Sequence, residues 1–160
     1  MNRFVRLLEK TQIFVGVAFL CVFIVTILIQ ITTRHLEIAV IWTEEVATHS
    51  FIWSVFMGAA VMVNRREHFS FDYLTKKLKG RKQATLNIII DITLIAFNVL
   101  IFNYGIKVVE QFWNYNWVSM PDLKMGYVWI AIPIMAGTMI IYSLSHLVKH
   151  VQVLRSGEVQ

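Results

Sequence analysis

Residues Trp42 to Asp72 read WTEEVATHSFIWSVFMGAAVMVNRREHFSFD, opening on two carboxylates, crossing an apolar run and closing on arginines and a histidine. This is the pattern of a short membrane helix with both ends specified. Its uncharged part, Phe51 to Val63, is too short alone for a hydrocarbon core of about 30 Å, which takes roughly 20 helical residues. The helix is therefore expected to begin near Glu45, with His49 inside it and the glutamates at headgroup level. Charge is expensive there, so Glu44, Glu45 and His49 mark the mouth of this span as the place to look for function.

The whole chain fits that frame. Of 160 residues, 57% are hydrophobic and 16% charged, and the mean hydropathy is +0.61, values of a membrane protein. One cysteine, Cys21, excludes an intrachain disulfide and any zinc site built on several cysteines. The formal charge of +5 comes from basic residues beside apolar spans, without a nucleic-acid motif, so no nucleic-acid partner is expected. No phosphate-cradling glycine loop, nucleophile elbow or HExxH motif is present, which argues against an enzyme or a cofactor. His49 and His146 are the candidate haem pair, but they belong to opposite ends of their spans and cannot flank one macrocycle.

Spans are expected over about 13–33, 45–63, 84–106 and 126–148, a single membrane domain over 1–160. With the N-terminus inside, twelve of the fifteen Lys and Arg residues fall on the cytoplasmic side, against Arg34, Lys107 and Lys124 outside, so the positive-inside rule puts both termini in the cytoplasm. The first run follows basic residues but is long and lacks a small-residue cleavage pattern, so it reads as an uncleaved anchor. Residues 34–43 mix Leu36, Ile38, Val40, Ile41 and Trp42 with charge, which suits an interfacial helix. Residues 70–79 place Phe71, Leu74 and Leu78 on one face with Lys76, Lys77 and Lys79 around it, an amphipathic helix for the cytoplasmic surface near Arg65, Arg66, His68 and Asp72. Trp113, Tyr115, Trp117, Tyr127 and Trp129 suit the outer headgroup layer. The expected fold class is thus all-α integral membrane: four transmembrane helices plus interfacial amphipathic helices, lying in the lipid bilayer.

Trp42, Glu45, His49 and Trp53 recur every three or four residues and share one helical face. That face reads as a partner-docking patch with Glu44, against the plainer reading of solvated carboxylates beside a tryptophan anchor. Ser50, Ser54 and Gly58 form a small-residue stripe that lets another helix approach closely, from this chain or another. Asn87, Asp91 and Asn98 share a face of the third span. An intramembrane carboxylate is by default a functional candidate, but Asp91 is close enough to the cytoplasmic surface for pairing with Arg81 or Lys82, and a structural role is preferred. Pro133 should bend the fourth span.

With Trp42, Glu44 and Glu45 opening the span, Trp53 and Gly58-Ala59-Ala60 within it, and Arg65, Arg66, His68 and Asp72 after it, the chain resembles the DctQ-type small membrane subunit of tripartite ATP-independent periplasmic (TRAP) transporters. Ser119, Met120 and Pro121, followed by Trp129 and Ala131-Ile132-Pro133, look like that family's entry into its fourth span. One departure is Thr48, where the family often has an arginine, so a salt bridge from that position to the glutamates is not carried over. The resemblance implies a bacterial inner-membrane system in which a periplasmic substrate-binding protein captures an organic acid, of the sialic acid or C4-dicarboxylate class, and a large multi-span DctM-type subunit moves it with sodium. The small subunit would scaffold the large one's fixed part while a transport domain moves like an elevator. The competing readings are a self-sufficient small ion-coupled carrier, with Asp91 and the Glu44, Glu45, His49 patch as coupling groups, and a haem-binding redox anchor.

Overall fold

A computed structural model describes residues 3–66 and 81–156, with the side chains of 81, 82 and 153–156 left out of account. All its regular elements are helices: α1 (Arg3–His35), α2 (Trp42–Arg65), α3 (Arg81–Phe112), the single turn α4 (Gly126–Trp129) and α5 (Ala131–Ser156). Apolar runs of this length become helices because hydrocarbon offers backbone groups no partner but one another. Four helical stretches, with α4 and α5 together forming the last, are long and apolar enough to cross a membrane.

Each helix end has a local cause. At the end of α1, Glu37 adopts a left-handed backbone (φ 59°), and the N–H groups of Glu37 and Ile38 donate to the carbonyls of Arg34 (3.3 Å) and Thr33 (2.9 Å). This is a Schellman closure with a non-glycine residue in the position that favours glycine. It stops the helix at His35 and leaves 36–41 non-helical, so the interfacial helix expected over 34–43 is not formed: α1 takes its first two residues and α2 its last two. The second interfacial helix, over 70–79, falls outside the described residues, as do His68, Asp72, Lys76 and Lys77. Glu44 and Glu45 occupy the first turn of α2, where the helix dipole favours negative charge. Arg66 ends α2 in the left-handed region (φ 57°), its N–H bonded to the carbonyls of Met62 and Val63. Pro133 has no N–H to give the carbonyl of Trp129, and the last spanning stretch is interrupted at Ile130 between α4 and α5.

The helices pack in a row: α1 against α2, α2 against α5, and α5 against α3. The flanking helices bury least, 17% of the apolar window in α1 and 11% in α3, against 50% in the α4–α5 stretch. The core is thin, centred on Val5, Ala60, Val63, Met135, Met139 and Tyr142. The small-residue stripe has a divided fate. A Cβ on Gly16 of α1 would stand 3.2 Å from the Met57 Cβ and 3.7 Å from the Ser54 carbonyl, so α1 crosses α2 there, whereas a Cβ on Gly58 would meet nothing within 4 Å. Ser50 is buried and Gly58 faces open space.

Candidate functional site

Two groups of polar side chains stand out, one at each end of the helices. At the end where α1 begins and α5 ends, polar residues from all four spanning stretches bond to one another. Glu9 of α1 accepts from Asn64 Nδ2 (3.0 Å) and from Arg65 Nε (2.8 Å) of α2. One turn further in, Gln12 donates to Thr138 Oγ1 (2.8 Å) and accepts from the Tyr142 hydroxyl (2.5 Å), joining α1 to α5. His146 Nε2 lies 2.9 Å from the Asn64 carbonyl, joining α5 to α2. Asp91 of α3, 2% exposed, accepts from Arg66 Nη2 at 2.7 and 2.8 Å, and His150 Nδ1 stands 3.0 Å from its Oδ2.

The physical logic is that each group left unpaired in an apolar layer would cost several kcal/mol, roughly 3–5 for one half of a buried ion pair. Asp91 is therefore paired with Arg66 and His150, while the side chains of Arg81 and Lys82, its expected partners, lie outside the described residues. Of the companions of Asp91 on α3, Asn87 is half-buried, while Asn98 donates to the Leu94 carbonyl (2.8 Å) and its Oδ1 has no partner among the described residues. Glu9, Gln12, Thr138 and Tyr142 escaped the sequence reading. The available signal was polar residues three or four apart at the edge of an otherwise apolar stretch, Glu9 with Gln12 and Thr138 with Tyr142.

At the other end, α2 holds the loop between α3 and α4. The loop is pinned on itself by a bridge between Asn116 and Lys124, with Trp117 N–H on the Leu123 carbonyl (2.9 Å) and Met125 N–H on the Tyr115 carbonyl (2.8 Å). Gly126 is required at its exit, because a Cβ there would stand 2.4 Å from Cε3 of Trp113. Glu45 then accepts the N–H groups of Val118 and Ser119, both at 2.8 Å, and the Ser119 hydroxyl. One turn on, the His49 ring meets Trp117 edge-on with centroids 4.1 Å apart. One turn further, Trp53 Nε1 donates to the Tyr127 carbonyl (3.0 Å) while its ring stacks on Phe19.

The members of the face read from the sequence lie on one side of α2, with Glu45 and His49 turned onto this chain's own loop and Trp53 onto α4 and α1. Trp42 (40% exposed) and Glu44 stay outward. Beside Glu44 lies a recess of about 310 Å³ walled by Glu45, Thr48, His49 and Val118. His49 belongs to this end and His146 to the other, as expected from the sequence. Among the described residues, no three His, Cys, Asp or Glu side chains are grouped to hold a metal ion.

Residues 23–153 match the family model described as tripartite ATP-independent periplasmic transporters, DctQ component. Over 119 residues the chain is 29% identical to a protein of Haemophilus influenzae described as a TRAP transporter small permease protein, covering 74% of this chain and 73% of the relative. It is 23% identical over 126 residues to the sialic acid TRAP transporter permease protein SiaT of Haemophilus influenzae, and 24% identical over 122 residues to the isethionate TRAP transporter permease protein DctMQ of Oleidesulfovibrio alaskensis. These matches take in 76% and 75% of this chain but only 20% and 19% of those longer permeases. A match over most of the chain, together with four helical stretches able to cross a membrane, makes it a member of the DctQ family of TRAP transporter membrane components.

Proposed function

We propose that this chain is the stationary small subunit of a sodium-coupled TRAP transporter in a bacterial inner membrane, with both termini in the cytoplasm. On this reading it braces a large DctM-type subunit, whose moving part carries an organic acid delivered by a periplasmic binding protein. The acid is of the sialic acid or C4-dicarboxylate class, and its recognition resides in those other polypeptides. The fused relative DctMQ, of which this chain matches about a fifth, supports a permanent association with a larger membrane component.

The observation that carries the reading is the polar girdle. A coupling carboxylate has to change partners as ions bind and leave, whereas Glu9 and Asp91 are each held by two groups from other helices. Such bonds oppose relative motion of the helices, which suits a brace better than a carrier.

The test is co-purification in mild detergent through a C-terminal tag. Recovery of a large multi-span protein in fixed ratio is the expected result. Recovery of this chain alone, moving ions when placed in liposomes, would overturn the proposal and make Asp91 the residue to pursue.

A further inference from the structure

Where α1 and α2 cross, a groove of about 220 Å³ runs between Gln12, Gly16 and Leu20 of α1 and Ser54, Gly58 and Met62 of α2. The helices touch at Gly16, where a Cβ would stand 3.2 Å from the Met57 Cβ, while a Cβ on Gly58 beside that contact would meet nothing within 4 Å. The groove begins level with the polar girdle, at Gln12 with its bonds to Thr138 and Tyr142. Past Gln12 its walls are apolar except for Ser54. From Gln12 to Leu20 the helix rises about 12 Å, close to the roughly 15 Å that one leaflet contributes to a hydrocarbon core of about 30 Å. Basic residues extend the walls beyond the girdle. On α1, Val17, Ile13, Lys10 and Arg6 follow one another at steps of three or four residues and share a face. On α2, Arg65 continues the line of Gly58, with its Nε bonded to Glu9. Glu9 offsets the charge of Arg65, whereas Arg6 and Lys10 are exposed and make no hydrogen bond or ion pair among the described residues. Net positive charge therefore stands where the phosphate of a lipid would lie if its chain filled the groove.

We infer that the groove holds one acyl chain of an anionic phospholipid whose phosphate lies on Lys10 and Arg6. Lipid covers any spanning helix, but a groove touches an acyl chain on two sides where a single helix face touches it on one, and dispersion grows with each contact. The two cations then select for a negative headgroup, as basic clusters at the membrane surface do. A protein helix, about 10–12 Å across, can lie over this groove and not within it. Both halves of the site belong to this chain, so the inference goes beyond the proposed association with a larger subunit. On the proposed orientation the lipid comes from the cytoplasmic leaflet.

The test titrates the isolated chain in mild detergent with phosphatidylglycerol or with phosphatidylcholine of the same acyl chains, and counts the lipids retained per chain by native mass spectrometry. One phosphatidylglycerol per chain is expected, at about a tenth of the concentration that phosphatidylcholine needs. Arg6→Gln combined with Lys10→Gln should bring the two lipids within about twofold of each other. Gly58→Leu and, separately, Val17→Phe fill the groove from opposite walls. Each should lower phosphatidylglycerol retention at least fivefold while leaving the lipid-free unfolding midpoint unchanged. Equal retention of the two lipids by the unaltered chain would overturn the inference. Undiminished retention in both filled variants would do so too, leaving only a basic surface. Competition by glycerol phosphate, which has no acyl chain, would show a simple anion site and overturn it. Loss of the bound lipid on co-purification with the large subunit, with both filled variants unable to assemble, would give the groove to that subunit instead.

Discussion

A single terminal nitrogen of Arg66 spans both oxygens of the Asp91 carboxylate, at 2.7 and 2.8 Å, across the gap between α2 and α3. Helices α2 and α3 are not neighbours in the row, so this pair ties together elements that otherwise meet through α5. Removing Arg66 leaves the buried Asp91 carboxylate with His150 alone. Arg66→Ala should lower stability by about 1–3 kcal/mol, read as a drop in the unfolding midpoint in detergent. Asp91→Asn keeps the shape and should cost less, with transport by the assembled system falling only in proportion to folded protein. Transport abolished by Asp91→Asn at unchanged stability would contradict the structural role.

Glu45 should be worth more to the loop than to the helix that carries it. Glu45→Ala removes the acceptor for two N–H groups and a hydroxyl, a loss on the order of 1–3 kcal/mol. Hydrogen exchange should accelerate at the amides of Val118 and Ser119 while those in the middle of α2 remain protected. Unchanged exchange at both amides would mean that the loop is held by its own bridge alone.

Two glycines should answer oppositely to the same change. Gly126→Ala places a methyl 2.4 Å from the Trp113 ring and should destabilise the loop exit measurably. Gly58→Ala, and even Gly58→Leu, should leave the isolated chain as stable as before, since a Cβ there meets nothing within 4 Å. Loss of assembly with the large subunit in Gly58→Leu, with the isolated chain intact, would identify that open face as a contact surface.

Tyr142→Phe deletes one hydrogen bond in a fully buried position and should cost about 1 kcal/mol, and Gln12→Leu about 1–3 kcal/mol because it strands the Tyr142 hydroxyl. The double variant should cost less than the sum, a coupling that a double-mutant cycle reads directly. Strict additivity would show that the two side chains do not share a bond.

Hydropathy carried the four spanning stretches plainly, since backbone groups in hydrocarbon leave little choice of structure, and the family was legible in the ordered Trp42, Glu44, Glu45 and Arg65, Arg66 motif. The partners of charged residues were not. Asp91 pairs with Arg66 and His150, 25 and 59 residues away in sequence, and nothing in an arginine announces the left-handed backbone at Arg66. The 34–43 segment has an interfacial composition, yet the turn at Glu37 breaks it, another non-glycine residue in that region. The Glu45, His49, Trp53 face was visible by spacing, but periodicity gives only direction and does not say whether the neighbour is a partner or the chain's own loop.

The order of the row has one more consequence. Helices α1 and α3 stand at opposite margins, and the described residues form no packed interface between them. An open file of four helices encloses no lumen. On the proposed function it would serve as a wall and not as a pipe, with the path of any solute lined by the other polypeptide.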